Sequence, residues 1–387
     1  MDEDRAAVRF VDRLIADAVH HRASDIHLQP ERQALRIRLR IDGLLHEMQA
    51  PPAALRGRII ARMKLLAGMD VAEQRLPQDG RLQATDGSGH PVQFRVASCP
   101  SVHGEKLVLR LIERDAPSTI EALAMPGPAQ QALEQALERP DGLILVTGPT
   151  GSGKTATLHA ALHRLNTPER NICAVEDPVE MEVRGVTQVA VNRRAGVDFT
   201  QALRAFLRQD PDVILVGEIR DAETAAIAVK AAQTGHLVLS TLHTRSAGSA
   251  VERLAQMGIP GYDLVSSLSL VAAQRLVRRC CPACRATTGS ETQRTTVAES
   301  PEPYTETACP HCRDGFHGRR GIFQVMPISE GIAQAVLKGA NAYEIEARAR
   351  AEGIPDLHTA GWPLVEAGET SAAELHRVTQ GAEPWPA

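Results

Sequence analysis

Residues 148–155 read GPTGSGKT, between the apolar run LILVT (143–147) and the helical stretch TATLHAALHRL (155–165). This is the whole G-x-x-x-x-G-K-[ST] pattern in the strand–loop–helix setting that gives it meaning. Gly148, Pro149, Thr150, Gly151, Ser152 and Gly153 make a loop open enough for backbone N–H groups to close around phosphate oxygens. The helix N-terminus that follows adds partial positive charge. In this pattern Lys154 reaches the β- and γ-phosphates and the Thr155 hydroxyl holds Mg²⁺. The same feature constrains the fold, because such a loop lies where a strand of an open α/β sheet meets its helix.

Three more apolar runs alternate with helical stretches: ICAVE (172–176), VILVG (213–217) and LVLST (237–241). Strands written as continuous apolar runs are covered on both faces, as in a parallel α/β sheet. The first of the three ends in Glu176-Asp177-Pro178-Val179-Glu180. Acidic groups at that edge position a water or a hydrated Mg²⁺, so Glu176 is a candidate catalytic carboxylate and Asp177 a candidate nucleotide contact. A solvated acidic turn is the competing reading. The second run leads into Gly217-Glu218, with Gly217 where an Asp is commonly found. Glu218 is then the carboxylate left to act on Mg²⁺ or the attacking water. The third run is bracketed by Thr234-Gly235-His236 and Thr241-Leu242-His243-Thr244. Hydroxyl and imidazole groups beside a strand end can sense a γ-phosphate, which makes His243 a catalytic candidate and His236 a nucleotide-contact candidate; structural histidines are the alternative.

Cys281-Pro-Ala-Cys284 and Cys309-Pro-His-Cys312 form two Cys-x-x-Cys knuckles. Four thiolates favour tetrahedral Zn²⁺ and leave no open coordination position, so a structural zinc element is expected. The flanking Arg275, Arg278, Arg279, Arg285 and Arg313 are expected to favour thiolate. Cys280 and His311 are weaker alternative ligands, and a disulfide pair or free thiols are the competing states.

The N-terminal third has a different pattern. Residues 5–22 carry Val8, Val11, Leu14, Ile15 and Val19 near helical spacing, and DIHLQ (25–29) reads as a strand. ALRIRLRIDGLL (34–45) alternates Leu35, Ile37, Leu39 and Ile41 with Arg36, Arg38 and Arg40, then turns at Asp42-Gly43. A helix over 53–67 and strands over 81–85, 92–97 and 106–112 complete a small α+β domain. The expected division is 1–113 for this domain, 114–117 for a linker, 118–279 for the nucleotide core, 280–320 for the tetracysteine element and 321–387 for a helical region. Within the last region residues 329–380 read as helical, with Gly339, Gly353 and Gly361 as the expected stops, and 285–308 reads as a mobile polar loop.

Composition sets the remaining limits. Hydrophobic residues are 43% of the 387, the balance of a globular chain with real cores. A net charge of −4 and 3% aromatics do not suit a general nucleic-acid binder. No run of 18 apolar residues occurs, and MDEDR is not a signal-peptide start, so a cytoplasmic protein is expected.

With these segments assembled, the chain resembles the secretion ATPases of type II secretion and type IV pilus assembly. The resemblance runs from SDIHLQP and RLRIDGLL through LPQDGRL and GEKLVLRL to GRRGIF, and is most specific at FLRQDPDVILVGEIRDAETAAIAVKAAQTGHLVLSTLHT (206–244). It implies an α/β fold with a RecA-like ATPase core, a small N-terminal domain, a tetracysteine zinc element and a helical C-terminal part. It implies ATP and Mg²⁺ as cofactors, structural Zn²⁺, and a homohexamer at the cytoplasmic face of the bacterial inner membrane. There, hydrolysis drives pilin or pseudopilin assembly through an inner-membrane platform protein. It also nominates Arg81 in QDGRL and Arg95 in FRVAS as cations that reach nucleotide phosphate from the N-terminal domain; surface ion pairing is the alternative. Longer family members carry a further N-terminal domain that docks on a membrane-anchored partner, and the resemblance here starts at the second domain. Gln324 stands where the family pattern carries Glu, and Cys173 where a small hydroxyl residue is usual. Two other function classes share parts of this pattern: a DNA-translocating relative with the same core, and a nucleotide-gated scaffold with little hydrolysis.

Overall fold

The computed structural model describes residues 2–86, 89–112, 119–287, 309, 312 and 314–379. The chain forms two compact units, Met1–Arg114 and Asp115–Ala387. The expected linker 114–117 and most of the expected mobile loop, 288–308, lie outside the described residues.

The first unit is a six-stranded antiparallel sheet with helices Asp2–His20 and Arg56–Leu66 against its apolar face. Its strands are β1 (Ala23–Pro30), β2 (Leu35–Ile41), β3 (Leu44–Glu47), β4 (Gln78–Thr85), β5 (Pro91–Ser101) and β6 (Gly104–Leu111), in the order β3-β2-β1-β6-β5-β4. The alternation in β2 works as expected: Leu35, Ile37, Leu39 and Ile41 are buried, and the three arginines between them face the other side. Asp42 (φ +49°) and Gly43 (φ +90°) supply the two left-handed residues of a tight hairpin turn. Among the described residues one ion pair is buried in this unit. Lys64 Nζ donates to both Glu105 oxygens at 2.7 and 2.8 Å and to the Glu73 carbonyl at 2.6 Å, fastening helix Arg56–Leu66 to β6.

The second unit holds β7 (Gly142–Thr147), β8 (Ile172–Glu176), β9 (Val186–Ala190), β10 (Val213–Val216), β11 (Leu237–Leu242), β12 (Leu268–Cys280) and β13 (Phe316–Pro327). Their order is β13-β12-β7-β11-β10-β8-β9, with every pair parallel except β12–β13. The four apolar runs are β7, β8, β10 and β11, fully buried as their composition requires. One apolar cluster covers each face of the sheet. Leu158, Leu162 and Leu165 of helix Lys154–Leu165 contribute to one, and Phe199, Leu203, Val251 and Leu254 to the other.

Two expectations about the C-terminal part change. The region from 321 does not begin helically: β13 runs through Pro327, antiparallel to β12 from Leu270↔Pro327 to Cys280↔Phe316. Gly318, Gly321 and four polar residues (His317, Arg319, Arg320 and Gln324) interrupt the apolar alternation there, which hides the strand in the sequence. The helices Glu330–Leu337, Ala342–Ala351, Leu357–Glu366 and Ala372–Thr379 then follow. Gly339 and Gly353 do end helices, with φ of +78° and +83°. Gly361 does not; it lies inside Leu357–Glu366, where a Cβ would come within 2.4 Å of Leu375 Cδ1. Its role is close packing between two helices.

Candidate nucleotide-binding site and metal cluster

The phosphate loop leaves β7 and enters helix Lys154–Leu165 through Gly153, whose φ of +88° is left-handed. A Cβ on Gly148 would meet the Gln274 carbonyl at 2.5 Å, and one on Gly153 would meet Gln274 Nε2 at 2.7 Å. These glycines are therefore required by the strand that backs the loop, β12, as well as by the phosphate cradle. Gln274 is held by Thr157, whose Oγ1 donates to its Oε1 at 2.7 Å. Lys154 Nζ donates to the carbonyls of Gly148 (2.7 Å) and Pro149 (3.0 Å). Burial pulls its pKa down to about 8, with Glu218 opposing and Arg275 adding to the fall. Ser152 Oγ is buried with no hydrogen-bond partner. Thr155 is exposed in the first helical turn, with Thr150 and Gly151 exposed beside it in the loop. The residues fit a nucleoside polyphosphate: a buried ammonium that donates to its own loop, an orphaned hydroxyl, and a cradle that side chains would fill.

Both candidate carboxylates stand at the same sheet edge. Glu176 ends β8, is buried, accepts from Gln188 Nε2 at 2.8 Å and lies 3.5 Å from His159 Nε2. Asp177, beside it, is exposed and 3.7 Å from Arg193 Nη2. Glu218 follows β10. Its Oε1 accepts from Arg220 at 2.5 Å, and its Oε2 lies 3.4 Å from His243 Nε2. Burial pushes this carboxyl up, but the Arg220 hydrogen bond and charge, with His243, bring it below the usual glutamate value. The end of β11 is tied to its neighbours: Thr241 Oγ1 donates to the Gly217 carbonyl at 2.7 Å, and Thr244 N donates to Thr147 Oγ1 at 2.9 Å.

His236 is corrected. It precedes β11, and its carbonyl accepts from Gly142 N at the start of β7, so it lies at the opposite edge of the sheet from the loop. Six strand residues at about 3.3 Å each separate the two edges by roughly 20 Å. Its Nδ1 lies 3.0 Å from the Ala231 carbonyl, a structural role at the end of helix Ala222–Gln233. The residues that sequence reasoning missed are His159, Gln188, Gln274 and Thr147. Only His159 carried a signal, an imidazole on the apolar face of the helix after the loop.

The sulfurs of Cys281, Cys284, Cys309 and Cys312 all lie within 4.8 Å of one another, and Cys284 Sγ is 3.5 Å from Cys312 Sγ. Four sulfurs at about 2.3 Å from a tetrahedral zinc lie roughly 3.8 Å apart, so the donor set and its spacing fit Zn²⁺. Cys280 is outside the cluster, and His311 is outside the described residues. Two arginines of the basic flank are engaged elsewhere, and Arg313 lies outside the described residues. Arg278 is bound to Glu374 (3.0 Å) and lies 3.9 Å over the Phe316 ring, while Arg275 turns towards the phosphate loop. Burial holds the Cys284 and Cys312 thiols above their ordinary value.

In the first unit Arg81 and Arg95 are direct cross-strand partners on β4 and β5. Gly80 permits this edge to form, since a Cβ there would strike the Ala67 carbonyl at 2.2 Å. Arg95 in turn faces Arg110, whose Nε donates to the buried Asp25 at 2.9 Å.

The α/β sheet, the glycine loop with Lys154 and the carboxylates at one strand edge define a P-loop ATP hydrolase. The sequence profile of the "Type II/IV secretion system protein" family matches residues 1–377, and the chain belongs to that family. It is 45% identical to the type IV pilus assembly ATPase PilB of Pseudomonas aeruginosa, over 98% of this chain and 68% of that one. It is 47% identical to the protein transport protein HofB homolog of Escherichia coli, over 97% and 82%. Among solved structures it is similar to the pilus retraction motor PilT with bound ADP, at 25% identity, TM-score 0.64 and 96% coverage of both chains. No helix among the described residues is long and apolar enough to cross a membrane.

Proposed function

We propose that this chain is a motor ATPase that hydrolyses Mg·ATP to drive pilin or pseudopilin assembly, working as a homohexamer on an inner-membrane platform protein at the cytoplasmic face. The observation that carries the chemistry is the convergence of Lys154, Glu176 and Glu218 on one sheet edge. Lys154 donates to two loop carbonyls and is free to exchange them for phosphate oxygens. Thr155 is the residue for Mg²⁺, which supplies charge neutralisation on the phosphates when bound. Asp177, exposed beside Glu176, is available to a water of that ion. Glu218 is kept ionised by Arg220, which suits a group that orients or deprotonates water at neutral pH. His243 is hydrogen-bond reach from Glu218 and sits on the segment after β11, a natural place to register the γ-phosphate. Arg81 and Arg95 are the cations for phosphate across a closed assembly. The tetracysteine cluster is read as a structural Zn²⁺ site.

Similarity to a type IV pilus assembly ATPase and to a protein transport protein supports this assignment of the work performed. The experiment is phosphate release by the purified protein with and without the platform protein of its own gene neighbourhood. Stimulated release that Lys154→Ala abolishes supports the reading. Release stimulated by DNA and not by a platform protein would move the function to nucleic-acid translocation.

A further inference from the structure

Arg275 belongs to β12, which runs parallel to β7 with Ala273 beside Thr147. Residues 274 and 275 therefore continue past the strand end alongside the phosphate loop. The residue is 9% exposed, and its guanidinium makes two directed contacts. One nitrogen, Nη1, donates at 2.8 Å to the Gln274 carbonyl, the atom that packs against Gly148. The other, Nη2, donates at 2.7 Å to the carbonyl of Arg245, two residues beyond His243. Among the described residues no carboxylate pairs with it. The charged groups it feels are Arg245 and Lys154, both cations, and its burial already disfavours its own charge. A buried cation without a counter-ion is costly unless an anion is supplied. Here the edge where it sits is the one at which a polyphosphate binds.

Resting on the ATPase reading above, we propose that Arg275 is a further positioning residue for the hydrolysis. Its planar fork joins the β12 backbone that backs the phosphate loop, at the Gln274 carbonyl, to the segment after His243, at the Arg245 carbonyl, and its charge is balanced by the nucleotide's phosphates. It thus links loading of the loop to the placement of His243 against Glu218. The fork geometry matters for the first task and the charge for the second, so the two can be separated.

The test uses Arg275→Lys, Arg275→Met and Arg275→Gln in the full chain, the last keeping a polar side chain if the Met variant does not fold. Affinity is read by anisotropy of a fluorescent ATP analogue and a fluorescent AMP analogue, and turnover by phosphate release. The neutral variants should weaken the triphosphate about tenfold and the monophosphate less than about twofold, because the lost charge is read by the outer phosphates. Arg275→Lys should return the triphosphate affinity to within about threefold while kcat stays about tenfold down, since one ammonium does not reproduce the fork. Equal weakening of both nucleotides, wild-type triphosphate affinity in the neutral variants, or full turnover in Arg275→Lys each overturns the proposal. Lys154→Ala is measured alongside. If it too binds triphosphate as wild type, the ATPase site itself is misplaced; if it loses binding while the Arg275 variants do not, only the role of Arg275 falls.

Discussion

Glu218 divides its two oxygens between Arg220, at 2.5 Å, and His243, at 3.4 Å, whereas Glu176 is buried against Gln188 and His159. The two carboxylates are thus differently equipped. Glu218 sits half-buried with a cation to keep it ionised. Glu176 is enclosed and fixed by an amide. The first is suited to a reacting water and the second to holding the geometry around it.

Glu218→Gln is therefore expected to bind ATP at close to wild-type affinity and to hydrolyse it on the order of 10²–10⁴ times more slowly. Glu176→Gln should lose less turnover and more thermal stability, since it alters a buried hydrogen-bonded group. Single-turnover phosphate release with matched binding titrations checks both. Equal turnover in Glu218→Gln and wild type would remove Glu218 from the chemistry. Because its pKa lies below the ordinary value, no acid limb from this group should appear above about pH 5.

Lys154 gives nucleotide binding a pH dependence of known sign. Its folded pKa is about 8, below the ordinary 10.5, so the free site loses this charge as pH rises through 8. Phosphate binding requires the charged form and draws a proton back. Affinity should be flat below about pH 7 and weaken roughly tenfold between pH 7 and pH 9. For folding itself the sign is opposite: between pH 8 and 10.5 the unfolded chain binds more protons, so the cost of burying this ammonium is relieved. An ATP dissociation constant that does not change from pH 7 to 9.5 would contradict the burial of Lys154.

Zinc should be present at one ion per chain after purification under reducing conditions, measured by plasma emission. Cys284→Ser or Cys312→Ser should lower the metal content and destabilise the β12–β13 end of the sheet, because Cys281 follows directly on Cys280, the last residue of β12. Metal-free protein with unchanged melting would set the cluster aside as an unliganded group of thiols.

In the first unit the Lys64–Glu105 pair is enclosed, with side-chain exposures of 1% and 5%. Removing one partner leaves a buried charge, so Lys64→Met or Glu105→Gln should each cost about 3–5 kcal/mol in denaturant unfolding. The double variant Lys64→Met/Glu105→Leu should recover much of that loss, which separates the stranded charge from lost packing.

The phosphate loop, both carboxylates and the cysteine cluster were legible because each is local: a few adjacent residues carry the chemistry and one strand end places them. The misplacement of His236 came from treating the two ends of β11 alike. In a parallel sheet, whatever precedes a strand lies at the far edge from whatever follows it. Gln274 and Arg275 were hidden for another reason. Their partners, Thr157 and Arg245, are distant in sequence, and β12 meets β7 only through tertiary pairing. Read along the chain, Arg275 looks like part of a basic flank to the cysteines. Gln324 shows the same limit. Its amide joins Glu346 Oε2 at 2.5 Å and Ala247 N at 3.1 Å, so the amide lets one side chain donate to Glu346 and accept from Ala247.

The last prediction concerns Arg81 and Arg95. They stand directly opposite on β4 and β5, and Arg95 also faces Arg110. Asp25 engages Arg110 and Arg40, and among the described residues neither Arg81 nor Arg95 has an acidic partner. Like charges directly opposite in an antiparallel pair are destabilising, by about 0.2–1 kcal/mol. A surface kept for stability alone would not align them, whereas one kept for an incoming phosphate would. Arg81→Ala and Arg95→Ala should therefore melt at the same temperature as wild type or slightly above it. If they serve nucleotide in a closed assembly, turnover should fall on the order of a thousandfold with ATP affinity much less affected. Mixing experiments add the assembly requirement. An Arg81→Ala/Arg95→Ala chain and a Glu218→Gln chain, each inactive alone, should recover turnover when combined, because one chain's cations would serve the other's intact loop. Full activity in the double arginine variant would assign the row to some other anion. A turnover loss matched by an equal loss of melting temperature would mark it as structural.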